Sequence, residues 1–227
     1  AEPASTRDVR NPVAHCWFER AVADLAARRL ESDSAPGQAL LGAGAPWYLT
    51  LFGRDSLISA RMMLPFGTHL AKSTLRVLAA FQGTTTDPAT GEEPGKIMHE
   101  LRSSELVVEN EGLILPPLYY GTIDATPLWI ILLVDSWRGG LSKQTVGQLV
   151  PNLRAALAWM RESAGRDGFL AYQDLTGKGL ANQGWKDSPE AVQWQDGTLA
   201  TGPVALCEVQ GYAFEAAMGA ADLLEYL

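Results

Sequence analysis

Along most of this chain, apolar residues recur at the three- and four-residue spacing that gathers them on one face of a helix. Val13, Trp17, Ala21 and Leu25 fall at fours, with Asn11 suited to a cap and Pro12 to a first helical turn. That spacing predicts a helix ending before the turn-forming cluster at 32–37. A second is expected to start at Asp55 and to run to about residue 64, where Pro65-Phe66-Gly67 breaks it. A third covers about 68–81. Thr126-Pro127 opens a fourth, reaching about Trp137 ahead of Gly139-Gly140. Ser142 opens a fifth, with Val146, Leu149, Val150, Leu153, Leu157 and Met160 on one side. Pro203 opens a sixth, which still reads as helix at Leu227.

Strand signals are weak. Phe169-Leu170-Ala171-Tyr172 reads as a short strand or hairpin arm. The segments at about 83–115 and 165–201 are long and rich in Gly, Asp and Trp. Connections of that length in a compact domain are functional or else disordered, and their aromatic and polar clusters favour function. The fold class expected is therefore all-α: helix, short turn, helix, then a long loop, with the functional loops on one face. The last helix carries no Gly, Pro or polar stop signal, so the sequence reads as part of a longer polypeptide.

Composition narrows the function. With 227 residues, 47% of them hydrophobic and only 19% charged, the chain can bury a sizeable core. A net charge of -8 offers no basic stripe to neutralise phosphates, which argues against nucleic acid. The strongest apolar run, 128–134, is far too short to span a membrane. Cys16 and Cys207 sit in apolar, helical-looking stretches and are expected as buried free thiols rather than a disulfide. Nothing has zinc-ligand or EF-hand spacing, and no metal or cofactor is expected. The first residues lack a signal-peptide core, but a processed chain lacks one too; the compartment stays open, with the cytoplasm as default.

Five polar clusters interrupt the helical pattern. In Gly184-Trp185-Lys186-Asp187-Ser188, a carboxyl stands beside an indole. An apolar ring raises a carboxyl's pKa so that it can deliver a proton, and offers a face for stacking on a pyranose. The same spacing suits Asp187 or Ser188 as a cap on a helix begun by Pro189. In the run from Trp47 to Ser56, the aromatic residues Trp47, Tyr48 and Phe52 precede Arg54 and Asp55, which can hydrogen-bond vicinal hydroxyls, or Asp55 can be a cap. Lys96, His99, Glu100 and Arg102 gather in a long loop; no second His follows His99 at the spacing of a zinc signature. Tyr120 and Asp124 precede the fourth helix, where Asp124 can bind a hydroxyl or cap. Glu208, Gln210 and Tyr212 lie close together on the sixth, and a carboxylate in so apolar a helix is costly to bury alone. Four of the clusters occupy the loop before a helix or its first turn, so stacked hairpins bring them to one face.

The runs WYLTLFGRDSLISA, GKIMHELR, YYGTIDATPLWI, NQGWKDS and ALCEVQGYAFEAA, in this order from about Pro46 onward, resemble the bacterial amylo-alpha-1,6-glucosidase, or glycogen-debranching-like, group. The resemblance implies residues 1–227 as the N-terminal part of an (α/α)6 six-hairpin glycosidase domain, a partial toroid. It implies an inverting, exo-acting hydrolase of alpha-1,6-linked or related alpha-glucosides. Asp187 matches the general acid, with Trp185 and Lys186 flanking the sugar. Phe52, Arg54 and Asp55 match the wall around the terminal glucose; His99, Glu100, Tyr120 and Asp124, and Glu208, Gln210 and Tyr212, match further pocket positions, and Trp47 and Lys96 are expected to bind substrate beside them. Inversion needs a second carboxylate across the sugar, roughly 6.5–9.5 Å from the acid; the group's base lies on a late hairpin, and no residue here matches it. About six helices are counted where a full barrel has twelve, so the remaining half, from the same polypeptide or another chain, is an expected partner. Two alternatives stand beside this reading: a noncatalytic glycan-binding domain, and a related trehalase or phosphorylase. A phosphorylase needs a basic phosphate pocket, for which only Lys96 and Arg102 offer themselves.

Overall fold

The computed structural model of the chain describes residues 11–32, 35–109, 112–186 and 188–227. Six helices appear among them: α1 (Pro12–Ala27), α2 (Gly53–Met62), α3 (His69–Ala80), α4 (Ala125–Arg138), α5 (Lys143–Ser163) and α6 (Cys207–Tyr226). The local signals explain their ends. Asn11 accepts hydrogen bonds from the backbone of Val13 and Ala14 at the start of α1, and Ser142 accepts one from Thr145 at the start of α5. Gly139 closes α4.

The core is organised around α4. Residues 125–134 are buried without exception, because α4 is packed by α2, α3, α5 and α6. This accounts for the apolar run at 128–134, which serves a helix enclosed on all sides. The Trp129 indole is fully buried and donates to the Leu75 carbonyl at 3.1 Å. Gly219 of α6 faces Val134 so closely that a methyl group would overlap its side chain, which lets the two helices approach. Among the described residues, no helix is long and apolar enough to cross a membrane.

The all-α expectation, and with it the partial toroid of helical hairpins, is overturned. Helix accounts for 46% and strand for 13%, in three small antiparallel sheets, so the class is mixed. The reason lies in the long connections, whose backbone donors and acceptors need partners once they pack against helices. They find them in one another. Strands β1 (Arg29–Ser32) and β2 (Ala35–Leu41) form a hairpin that buries Leu40 against the helices. Strands β5 (Leu106–Val108) and β6 (Leu113–Leu115) form a second hairpin. The third sheet, β3 (Leu51–Phe52), β4 (Glu100–Leu101) and β7 (Leu118–Tyr119), joins the segment before α2 to the segment before α4.

Three smaller expectations also change. The apolar stripe of α1 covers no core: Val13, Trp17 and Val22 are at least half exposed, and no residue of the helix is buried. Cys16 and Cys207 are both exposed free thiols, not buried ones. The sixth helix starts at Cys207 rather than at Pro203, because the Val204 backbone pairs with Tyr172 in an isolated bridge.

Candidate functional site

The β3–β4–β7 sheet assembles the site. Its register sets Phe52 opposite Glu100 and Glu100 opposite Tyr119, a row of three side chains from three distant stretches of sequence. The chain then passes directly from β3 into α2: the Gly53 amide donates to the His99 carbonyl at 2.8 Å. A Cβ at Gly53 would run into the Met98 carbonyl oxygen, so glycine is required for this approach.

Arg54, in the first turn of α2, is thereby delivered to Asp124, just ahead of α4. Its Nη1 donates to Asp124 Oδ2 at 2.8 Å, and both groups are buried. The other oxygen, Oδ1, accepts from the Thr122 hydroxyl at 2.8 Å. Asp124 therefore spends its carboxylate on Arg54 and Thr122 and makes no side-chain cap to α4. Asp55 is no N-cap either, since α2 begins at Gly53. Burial first, and then the charges of Asp124 and Glu208, hold the Tyr212 phenol above its ordinary pKa; the first turns of α6 thus share one electrostatic neighbourhood with Arg54 and Asp124.

His99 lies between two rings, its edge meeting Phe52 at 5.5 Å and Tyr119 at 5.9 Å between centroids. It is 3% exposed, and its Nδ1 is buried without a hydrogen-bond partner among the described residues. Burial, with the positive charges of Arg54 and Arg102 behind it, pushes its pKa down to about 3. The imidazole is therefore neutral across the physiological range. The Glu100 carboxylate, 1% exposed, accepts from Arg102 Nε at 2.7 Å. Arg102 in turn sits 5.7 Å above the Phe52 ring.

Two clefts open on this cluster. One, of about 410 Å³, is lined by Phe52, Arg54, Asp55 and Trp185 among others. The second, of about 700 Å³, takes in His99, Glu100 and Arg102 and reaches Ser188. Both volumes fall in the range of small-ligand sites, and the clefts share Tyr48 and Phe52 as walls. Asp187 lies outside the described residues. Buried Asn182 accepts from the Tyr172 hydroxyl at 2.9 Å and donates to the Ser188 carbonyl at 2.6 Å. The Trp185 ring is 59% exposed, with the Lys186 ammonium 5.4 Å from its centre.

The remaining expected site residues separate into two groups. Trp47 is exposed on the wall of a further cleft. Glu208, half-buried, accepts from the neighbouring Cys207 thiol at 3.5 Å. Three others are engaged in holding the fold. The Tyr120 hydroxyl donates to the Phe81 carbonyl at 2.7 Å. The Gln210 amide clamps the backbone of Leu170 from both sides, accepting from its N–H and donating to its carbonyl, each at 2.9 Å. Lys96 is buried and bound to Glu93 at 2.9 Å and to the Gly91 carbonyl at 3.2 Å, in a further cavity of about 370 Å³.

Sequence reasoning did not single out Thr122, which orients Asp124, or Tyr119, whose hydroxyl accepts from the Leu180 amide at 3.0 Å. Burial above all, with Asp174 and Glu100 nearby, drives the Tyr119 phenol up to about 12, so it stays protonated. The only sequence signal for either was the run from Tyr119 to Asp124 ahead of α4. Among the described residues, no group of three or more His, Cys, Asp or Glu side chains is placed to hold a metal ion. Compared with known protein families and with curated proteins, the chain matches none.

Proposed function

We propose that this chain carries the sugar-binding and proton-donating part of a glycoside hydrolase acting on alpha-linked glucosides, with Asp187 as the general acid. The observation that carries the reading is the shared wall of Phe52 between a cleft bearing Arg54, Asp55 and Trp185 and one bearing His99 and Glu100. Carboxylates, a guanidinium and exposed aromatic faces around one hollow suit a neutral polyol.

In this reading the exposed Trp185 ring stacks on the C–H face of the terminal sugar. Arg54, anchored by Asp124, grips vicinal hydroxyls, and buried, neutral His99 adds no charge to the wall. Asp187 passes its proton to the glycosidic oxygen as the bond to the anomeric carbon breaks, while water adds from the opposite face under a second carboxylate. Trp185 supplies the apolar neighbour that keeps such an acid protonated.

Water is favoured over phosphate as the acceptor, because each candidate cation already faces a carboxylate: Lys96 has Glu93 and Arg102 has Glu100. The test is to join the chain to the part of the domain that carries the base, incubate it with alpha-1,6- and alpha-1,4-linked glucosides and follow the anomeric protons by NMR. Glucose should be released, with the beta anomer appearing first. If no glucoside is cleaved but oligosaccharides still bind, the protein is a glycan-binding domain and the hydrolytic reading fails.

A further inference from the structure

Neighbouring clefts of the site share walls. The cleft at Arg54 and the large cleft at His99 have Tyr48 and Phe52 in common. The large cleft and a third, of about 400 Å³, have Arg102 and Leu106 in common. The first and third share no lining residue, and each adjoins the large cleft, with Trp185 lining the first and Trp47 the third. The large cleft also adjoins the Lys96 cavity, through Tyr172, Gln173, Asp174 and Gly179.

The Trp47 end has the chemistry of a sugar site. Its indole is 79% exposed, more than any other tryptophan among the described residues, although burying such a ring is favourable. Ser103, Ser104 and Glu105 line the same cleft, and Arg102 lines both it and the large cleft. Arg102 is held in place by Glu100 at 2.7 Å and by the Phe52 ring below it. An open aromatic face rimmed by hydroxyls, a carboxylate and a fixed guanidinium matches a pyranose, which is apolar on its C–H face and polar at its edge. Arg102 and Glu105 have opposite charges, so a neutral ligand is favoured over an ionic one.

We infer that Trp47, with Ser103, Ser104 and Arg102, forms a second sugar subsite, separate from the Arg54–Asp124 cluster, which holds a distal unit of the same oligosaccharide. For catalysis this rests on the glycosidase reading above; for binding it does not. The ligand is then a chain of several sugars laid across the adjoining clefts, and affinity accrues with length until the Trp47 cleft is filled.

The test uses malto- and isomalto-oligosaccharides of two to six units with the wild type, Trp47→Ala and Trp47→Phe. Binding is measured by calorimetry, and kcat/KM wherever turnover occurs. Affinity should rise with chain length in the wild type. Trp47→Ala should lose about tenfold on the hexasaccharide, the worth of one aromatic stacking contact, and distinctly less on the disaccharide. Trp47→Phe should recover most of that loss. An affinity independent of length, or an equal loss at every length, overturns the subsite. Length-dependent binding that requires Trp47, without cleavage of any glucoside, leaves the subsite standing and removes the hydrolytic reading.

Discussion

His99 makes the site's stability depend on pH in a way that a single substitution can isolate. The side chain is 3% exposed, Nδ1 has no partner among the described residues, and both Arg54 and Arg102 oppose a positive charge there. Burial, more than those charges, lowers its pKa from an ordinary 6.5 to about 3. Between those two values the unfolded chain binds a proton at this position and the folded chain does not. Stability therefore rises with pH through this window and is lost as pH falls below about 6.5. Integrating that difference, His99 alone should remove about 2 kcal/mol of stability between pH 7 and pH 5. His99→Gln abolishes the titration whatever it does to stability at pH 7. Urea unfolding of both proteins at pH 7, 6 and 5 gives the comparison, with the wild type losing about 2 kcal/mol more than the variant over that range. Parallel losses in the two proteins would refute the claim that His99 is held neutral by burial.

Other substitutions probe the frame of the site. Asp124→Ala removes the carboxylate that receives the buried Arg54 Nη1 and the Thr122 hydroxyl, and should cost about 3 kcal/mol in denaturant unfolding; a loss below about 0.5 kcal/mol would mean that the pair is solvated. Gly95 sits at φ +88, where a Cβ would strike the Ala155 carbonyl. Gly95→Ala should therefore destabilise by about 3 kcal/mol, lowering Tm by roughly 6–12 °C, and an unchanged Tm would contradict that approach of the backbone.

The helices were legible because each carried its own local signals. Asn11-Pro12, Ser142 and Gly139-Gly140 act within a turn of the element they bound; α4 falls within about a residue of its expected span, and α5 within a residue of its expected start. The sheets were not legible. Strands of two or three residues, such as Leu51–Phe52 and Leu118–Tyr119, are too short to show an alternating pattern, and their pairing partners lie up to dozens of residues away. The apolar stripe of α1 misled for a different reason: periodicity reports that a face is apolar, not what covers it, and here no described residue buries it.

The same division holds for the site. Arg54, Asp124, Phe52, His99 and Glu100 stood in separate motifs, and the β3–β4–β7 sheet is what gathers them. Lys96, Tyr120 and Gln210 look equally functional as letters, yet each satisfies a neighbouring carboxylate or backbone group. A polar residue near a helix start is read by sequence as a ligand group or a cap; which it becomes depends on partners that only the fold supplies.

The most direct measurement of the account is the turnover of an alpha-glucoside with a poor leaving group by the wild type and by Asp187→Asn, each joined to the part of the domain that carries the base, with sugar binding followed in parallel. If Asp187 is the proton donor, the variant binds the oligosaccharide as the wild type does and releases no glucose above background. Near-normal release by the variant would contradict the assignment.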